Sequence, residues 1–172
     1  VAAGGVLMTF DRGSELALEA MPGLPVRRIS PQARARARDD TNAAALGSGV
    51  VAPGSILRTI SSGRHRLTMG MPDTVAVYFT NSTAFDVAAD AAVEVPLRYP
   101  SDANQILMSG YLSGGSALAG KAAAVDIPVG AGRVVMFGFR PQYRGQSWGT
   151  FKLVYNTILT SGERSKTGML VP

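Results

Sequence analysis

The stretch KAAAVDIPVGAGRVVMFGF, residues 121–139, is the best-defined structural unit of the sequence. Two apolar runs, Ala122–Val129 and 133–139, flank the tripeptide GAG. A glycine-rich connection of this length between two strands is typical of a β-hairpin. The stretch therefore predicts an antiparallel pair of strands near the C-terminus.

A different kind of strand is predicted at the N-terminus. GGVLMTF, residues 4–10, is a short continuous apolar run, which is typical of a strand buried on both faces of a parallel sheet. The segment DRGSELALEAM follows, and we expect Ser14 to cap a helix over residues 15–20. Together with the hairpin, this strand–turn–helix unit predicts an α/β fold with a mixed sheet and helices on both faces.

Further strands are predicted between these two ends. Pro53–Ser61 follows a turn, and Thr74–Thr80 is rich in β-branched and aromatic residues. Residues 81–104 are predicted to be a long, turn-rich connection with one short strand at most. Residues 105–112 fit either a strand or the start of a helix.

A helix is predicted after residue 148. Its apolar residues follow the i, i+3, i+4, i+7 spacing of a single helix face. That face, which we expect to be buried, consists of Phe151, Val154, Tyr155 and Ile158.

The sequence predicts one domain over residues 1–162. Residues 31–48 are expected to form a variable loop, and residues 163–172 a frayed tail. The chain supplies only one early and one late helix, which is too few to cover both faces of the sheet. We therefore expect that strands and helices N-terminal to this segment are missing and belong to a longer polypeptide.

Composition excludes several classes of site. The sequence has no cysteine, which rules out disulfides, thiolate metal sites and a thiol nucleophile. The single histidine, His65, cannot form a histidine-rich zinc site and is predicted to be a loop residue.

Part of the net charge of +5 comes from five arginines in residues 27–38. Because no aromatic residues are interleaved with them, we expect a solvated loop there and no nucleic-acid binding. The sequence contains no apolar run of 18 or more residues, so no membrane span is predicted.

Five stretches resemble one known kind of domain. They are GGVLMTFDRGSELAL, PGSILR, MGMPDTVAVYFTNS, AGKAAAVDIPVGAGRVVMFGFRPQYRGQ and GTFKLVYN. The chain resembles the class I glutamine amidotransferase-like, flavodoxin-like domain found at the C-terminus of secreted bacterial zinc carboxypeptidases of the carboxypeptidase A-like family. The resemblance covers nearly the whole chain except residues 31–48. It implies a three-layer flavodoxin-like fold whose first strands are missing here.

The resemblance also implies where an ancestral active site would lie. In active amidotransferases a nucleophilic cysteine occupies a sharp strand-to-helix turn, and TFDRGS places Asp11 at that position. The histidine-proline-glutamate motif that completes the triad matches Arg140, Pro141 and Gln142. An arginine cannot act as a base at neutral pH, and a glutamine carries no charge to stabilise an imidazolium. Asp11 and Arg140 are instead expected to form an ion pair, with no catalysis.

Three more residues are predicted to line the same crevice: Arg12, Arg144 and Gln146. The resemblance implies that the chain is a non-catalytic accessory domain, which packs on or stabilises an extracellular or periplasmic zinc peptidase domain or assists its substrate binding. The zinc would belong to that upstream domain, and this chain would hold no metal or cofactor. The expected partners are the peptidase domain or other copies of the chain, with no nucleic acid and no membrane.

Two alternatives stay open at this point. A stand-alone module could use the degenerate crevice to bind a small ligand, such as a glycan or a peptide carboxylate. An active hydrolase using Asp11 or Ser14 would need a base within hydrogen-bond reach. The sequence offers only His65 for that role, far along the chain.

Overall fold

The computed structural model describes residues 1–29, 49–80 and 82–163. Over these residues the chain is an α/β fold with nine strands in one mixed sheet and two α-helices. In chain order, the elements are β1 Val6–Phe10, α1 Gly13–Ala20, β2 Val26–Ile29, β3 Pro53–Ser61, β4 Thr74–Thr80, β5 Ala84–Val87, β6 Glu94–Arg98, β7 Leu107–Ser109, β8 Ala122–Val129, β9 Gly132–Phe137 and α2 Phe151–Leu159.

The main path of the sheet runs β1-β9-β8-β6-β3-β4. Strand β5 joins β2 to β8, and β7 pairs with β3. Strands β1 and β9 are parallel, with Val6 opposite Arg133 and Phe10 opposite Phe137. The other strand pairs within the described residues are antiparallel. The predicted mixed sheet is therefore confirmed.

The predicted hairpin is formed by β8 and β9, whose register runs from Ala124 opposite Phe137 to Val129 opposite Gly132. Gly130 in the connecting turn has φ 58°, a left-handed conformation that glycine adopts without steric cost. A Cβ atom there would also lie 2.4 Å from the carbonyl oxygen of Ala2. The glycine therefore lets the hairpin turn pack against the N-terminal segment.

Several local predictions were wrong. The connection over residues 81–104 contains two strands, β5 and β6, because its short apolar runs pair with β8 rather than forming turns. The arginine-rich run begins inside β2, where Arg27 and Arg28 pair with β5. By contrast, residues 105–112 contain the short strand β7, which agrees with one of the two predicted alternatives. The variable-loop prediction for 31–48 and all but the first residue of the predicted tail lie outside the described residues.

The core consists of two hydrophobic clusters on opposite faces of the sheet. Successive residues of β9 alternate between them. Val134 and Met136 share a cluster with Ala17 of α1. Val135 belongs to the other cluster, which includes Leu153 of α2. The two helices therefore contact opposite faces, and the central strands β8 and β9 are buried on both.

The orientation of α2 differs from the prediction. Its buried residues are Leu153, Asn156 and Thr157, whereas Tyr155 is 61% and Ile158 57% exposed. The reason is that Asn156 holds the helix through hydrogen bonds, which the spacing of apolar residues does not predict. The Nδ2 atom of Asn156 donates to the carbonyl oxygens of residues 67 and 69, at 2.9 and 3.1 Å.

An apolar surface results on the outside of α2. We call it the outer stripe, and it consists of the exposed residues Trp148, Tyr155, Ile158 and Leu159. Within the described part of the chain, no helix is long and apolar enough to cross a membrane.

Candidate functional site

The turn between β1 and α1 holds Asp11 in a constrained position. Its φ is 50°, a region that residues other than glycine seldom adopt. The backbone N–H of Asp11 donates to the carbonyl oxygen of Phe137 at 2.8 Å. Ser14, predicted to cap the helix, lies instead within its first turn, and its Oγ donates to the Asp11 carbonyl oxygen at 2.6 Å. The result is a sharp strand-to-helix turn with Asp11 at its bend.

Arg140 follows β9 and reaches this turn, because β9 runs parallel to β1 and both strands end at the same edge. Its Nε donates to Oδ2 of Asp11 at 3.0 Å, so the expected ion pair is present. The Asp11 side chain is 3% exposed and that of Arg140 is 40% exposed. Burial raises the pKa of Asp11, and the nearby Arg140 guanidinium only partly offsets that rise.

The Arg140 guanidinium also contacts an aromatic residue. The Arg140 guanidinium carbon lies 5.0 Å from the centroid of the Tyr143 ring, and that of Arg144 lies 5.8 Å from it. Tyr143 in turn stacks on Tyr78 of β4, with ring centroids 5.6 Å apart. Arg144 therefore contacts the crevice through Tyr143 rather than through Asp11.

The other predicted crevice residues are placed differently. Arg12 occupies the N-cap position of α1, where its charge lowers the pKa of Asp11. Gln142 and Gln146 are exposed, and neither hydrogen-bonds to Asp11 among the described residues. The structure thus brings Arg12 and Arg140 to Asp11 and leaves both glutamines at the surface.

No protein-family model matches this chain. No curated protein matches it either. The family suggested by the sequence resemblance is therefore a proposal.

A second site was missed by sequence reasoning. It is a cavity of about 1110 Å³, next to the start of β6 and the middle of β8. Its ionisable lining residues are Arg64, His65, Arg66, Glu94, Asp126, Arg133 and Glu163. His65 lies in a loop, as predicted, but its side chain is only 6% exposed.

Hydrogen bonding fixes the proton on the His65 ring. Nδ1 accepts from the backbone N–H of Leu67 at 3.0 Å, so the neutral ring carries its proton on Nε2. Nε2 lies 2.6 Å from Oε2 of Glu94 and 3.5 Å from Oδ2 of Asp126, but neither oxygen is aligned for a hydrogen bond. Burial lowers the pKa of His65, and the Glu94 carboxylate opposes that shift. The ring therefore presents an N–H donor to the cavity.

Asp126 and Arg133 form the buried floor of the cavity. Their side chains are 3% and 2% exposed, and Arg133 Nη1 lies 3.3 Å from Asp126 Oδ2. Arg66 Nε approaches the same oxygen at 3.7 Å. Burial raises the pKa of Asp126 to about 6, against the opposing effect of both guanidiniums. Arg133 also donates through Nη2 to the carbonyl and hydroxyl oxygens of Thr160, while its Nε has no partner.

His65, Glu94 and Asp126 each place one potential metal-ligand atom within 4.8 Å of the other two. A metal ion is nevertheless disfavoured at this cluster. Binding through Nε2 would need the proton on Nδ1, where it would face the N–H of Leu67. The two guanidiniums close to Asp126 also repel a cation. The cluster is better suited to bind oxygen acceptors than a metal.

One sequence signal could have revealed this site. The buried hairpin strands are apolar except for Asp126 in β8 and Arg133 in β9. Charged residues are almost never fully buried unless they are paired. Opposite charges on adjacent buried strands therefore predict a buried ion pair, but the cross-sheet approach of His65 cannot be read from the sequence.

Proposed function

We propose that this chain is a non-catalytic accessory domain of the class I glutamine amidotransferase-like, flavodoxin-like type. Its role would be to pack on the zinc carboxypeptidase domain of a longer extracellular or periplasmic protein and to stabilise it or help hold its substrate. The observation that carries the proposal is the Asp11–Arg140 ion pair at the strand-to-helix turn. An active enzyme would need a nucleophile and a base at that position.

The chemistry of the turn supports a role without catalysis. Arg140 keeps its proton at neutral pH and cannot deprotonate a nucleophile or a water molecule. The Ser14 hydroxyl is buried and donates to a backbone carbonyl. The one histidine of the sequence, His65, lies in the other cavity against Glu94 and Asp126. Neither Asp11 nor Ser14 thus has a base among its described contacts.

The outer stripe of α2 supports packing on a partner domain. Trp148 is 79% exposed in the turn before α2, and Tyr155, Ile158 and Leu159 are exposed on α2 itself, with Leu159 at 77%. Contiguous exposed apolar residues on one helix face mark an interaction surface. Aromatic residues such as Trp148 and Tyr155 are enriched at interfaces. An accessory domain needs such a surface, whereas a stand-alone binding module does not.

The alternative, a ligand-binding module that uses the Asp11 crevice, has weaker support. It predicts polar groups that converge on open space and are unpaired. The Asp11 carboxylate is instead buried and bonded to Arg140. The cavity of about 1110 Å³ is lined by neither residue.

The absence of catalysis is tested by assaying the purified chain for glutaminase, esterase and peptidase activity. We expect no turnover above that of the Asp11→Asn variant. Asparagine preserves the side-chain shape, and it also tolerates a positive φ. Turnover that Asp11→Asn abolishes would show that the turn is an active site.

The family and the docking surface are tested separately. We expect the reading frame upstream of Val1 to encode an HxxE motif and a later histidine as zinc ligands. That upstream part, expressed as a separate chain, should bind the present chain, and serine substitutions at Tyr155 and Ile158 should weaken the complex at least tenfold. Leu16→Ser, at a residue 71% exposed on α1, is the matched control. An upstream reading frame without the zinc motif would rule out a zinc peptidase as the partner domain. Equal binding by all variants would show that the outer stripe is not the docking surface.

A further inference from the structure

The cavity beside β6 and β8 contains buried N–H donors that lack a well-aligned acceptor. The side chains of His65 and Arg133 are 6% and 2% exposed. Nε of Arg133 has no hydrogen-bond acceptor, and Nε2 of His65 has only the poorly aligned carboxylate of the exposed Glu94, 2.6 Å away. Buried donors are nearly always paired in native proteins, either within the chain or with bound molecules. Two poorly paired donors on the lining of one cavity therefore indicate a place for oxygen atoms of a ligand.

Glu94 shows which kind of oxygen fits there. Its side chain is 56% exposed, yet its Oε2 lies 2.6 Å from Nε2 of the buried His65. Because water can solvate the exposed Glu94 carboxylate, Glu94 can leave this position at a smaller cost than a buried partner could. The Glu94 carboxylate thus occupies an anion position from the solvent side without the alignment of a good hydrogen bond.

The charge balance of the cavity favours one negative charge. Arg66 and Arg133 contribute two positive charges, and Asp126 and Glu94 contribute two negative charges, so this group is neutral with Glu94 in place and carries +1 once the exposed Glu94 carboxylate has moved away. At the rim, Glu163 lies 3.6 Å from Arg66 Nη1, and the positive charge of Arg64 offsets the negative charge of Glu163. A single carboxylate neutralises the remaining charge, whereas a phosphate dianion would leave an excess of negative charge next to Asp126.

Apart from Ser62, the remaining wall of the cavity is apolar. Its small side chains suit a short hydrocarbon group rather than a sugar with many hydroxyls. These residues are Ala91, Ala92, Val93, Val95 and Pro128.

We propose that this cavity binds a small organic carboxylate, whose carboxylate group displaces that of Glu94 from His65 and whose hydrocarbon part lies on the alanine–valine wall. Arg66 is the second contact for the ligand carboxylate, because its guanidinium is partly exposed at the mouth of the cavity. Asp126 and Arg133 act as positioning residues below it, and Arg133 is held in turn by Thr160.

The test uses the ring of His65 as a reporter. The chain has one histidine, so the ring signals of a ¹³C-histidine sample need no assignment. Sodium butyrate is titrated into the wild-type chain at pH 7.5 and constant ionic strength. We expect a saturable shift of the His65 signals, no shift with butyramide, and weaker binding of inorganic phosphate.

Variants separate displacement of Glu94 from nonspecific binding. Glu94→Gln removes the internal competitor and should lower the Kd for butyrate by about tenfold. Arg66→Gln should raise it by about tenfold, the typical effect of losing one charged hydrogen bond. Glu19→Gln makes the same charge change as Glu94→Gln at an exposed position of α1 and should change the Kd by less than about twofold.

Several results would overturn the proposal. These are no saturable shift in either the wild-type chain or Glu94→Gln, equal binding of butyrate and butyramide, or tighter binding of phosphate than of butyrate. Circular dichroism checks the fold of Glu94→Gln, and Glu94→Ala provides a second variant without the competing carboxylate. If both variants are folded and neither binds butyrate more tightly than the wild-type chain, Glu94 does not occupy the ligand position.

Discussion

Replacing Arg140 by glutamine leaves the Asp11 carboxylate buried without its guanidinium partner. Asp11 is 3% exposed, as in a buried pair, whereas Arg140 is 40% exposed, so that water can replace part of the lost interaction. Breaking a fully buried pair costs about 3–5 kcal/mol, and breaking a surface pair about 0–1 kcal/mol. For this intermediate pair we expect a loss of about 2 kcal/mol in the free energy of unfolding at neutral pH.

The loss should depend on pH in a definite direction. Burial already raises the pKa of Asp11, and Arg140 is the main group that opposes the rise. Its removal raises the pKa further, so the folded variant binds a proton more readily than the unfolded chain does. The variant therefore loses stability as the pH rises from about 4, where unfolded aspartate titrates. The difference from the wild-type chain should be smallest near pH 4 and largest near pH 8.

Urea unfolding followed by circular dichroism at pH 4, 6 and 8 measures this effect. In a separate thermal unfolding experiment at pH 8 we expect Tm to fall by about 4–8 °C, the shift that about 2 kcal/mol produces in a domain of this size. Arg144→Gln is a matched control, because Arg144 also contacts the Tyr143 ring but forms no ion pair with Asp11. Its free energy of unfolding should change by less than about 0.5 kcal/mol. Equal losses in the two variants, or a loss independent of pH, would refute the reasoning.

Three further predictions concern the second cavity and α2. The pKa of Asp126 is raised to about 6. Ionisation of Asp126 should therefore lower the free energy of unfolding of the wild-type chain by up to about 3 kcal/mol as the pH rises from 4 to 7.5. Relative to the wild-type chain, Asp126→Asn should therefore become less destabilising across that range in urea unfolding, and a constant difference would contradict this. The pKa of His65, measured by NMR, should lie below that of a free histidine and fall further in Glu94→Gln, because the Glu94 carboxylate raises it; a rise would contradict this. Leu153→Ala should cost about 3 kcal/mol of unfolding free energy and Ile158→Ala less than about 0.5, and the reverse order would show that the predicted face of α2 is the buried one.

The sequence predicted those parts of the fold that depend on short-range patterns. The hairpin at β8 and β9, the strands β3 and β4 and the first strand–helix unit were found, because apolar runs and glycine turns determine them locally. Strands β5 and β6 were missed, because they are short and gain their stability from pairing with β8 across the sheet. Such pairing depends on tertiary context more than on intrinsic propensity.

The candidate site was predicted to a similar extent. The Asp11–Arg140 pair was expected from the family resemblance, which places both residues at triad positions, and the structure forms it because the parallel strands β1 and β9 end at one edge. The buried face of α2 was predicted wrongly, since Asn156 anchors the helix through hydrogen bonds that apolar periodicity does not register. The His65 cavity was missed because its residues come from separate segments and have no fixed spacing.

The two sites differ in the balance between donors and acceptors, and that difference separates a structural ion pair from a binding site. At the turn, one oxygen of Asp11 is bonded to Arg140, and the unpaired atom is the second oxygen of a carboxylate whose charge is already matched. A ligand could add little there. In the second cavity, the unpaired atoms are N–H donors on His65 and Arg133 beside a space of about 1110 Å³. An incoming carboxylate would give His65 a better acceptor and would take over the negative charge of Glu94, so ligand binding in this domain is expected at the cavity and not at the turn that resembles an active site.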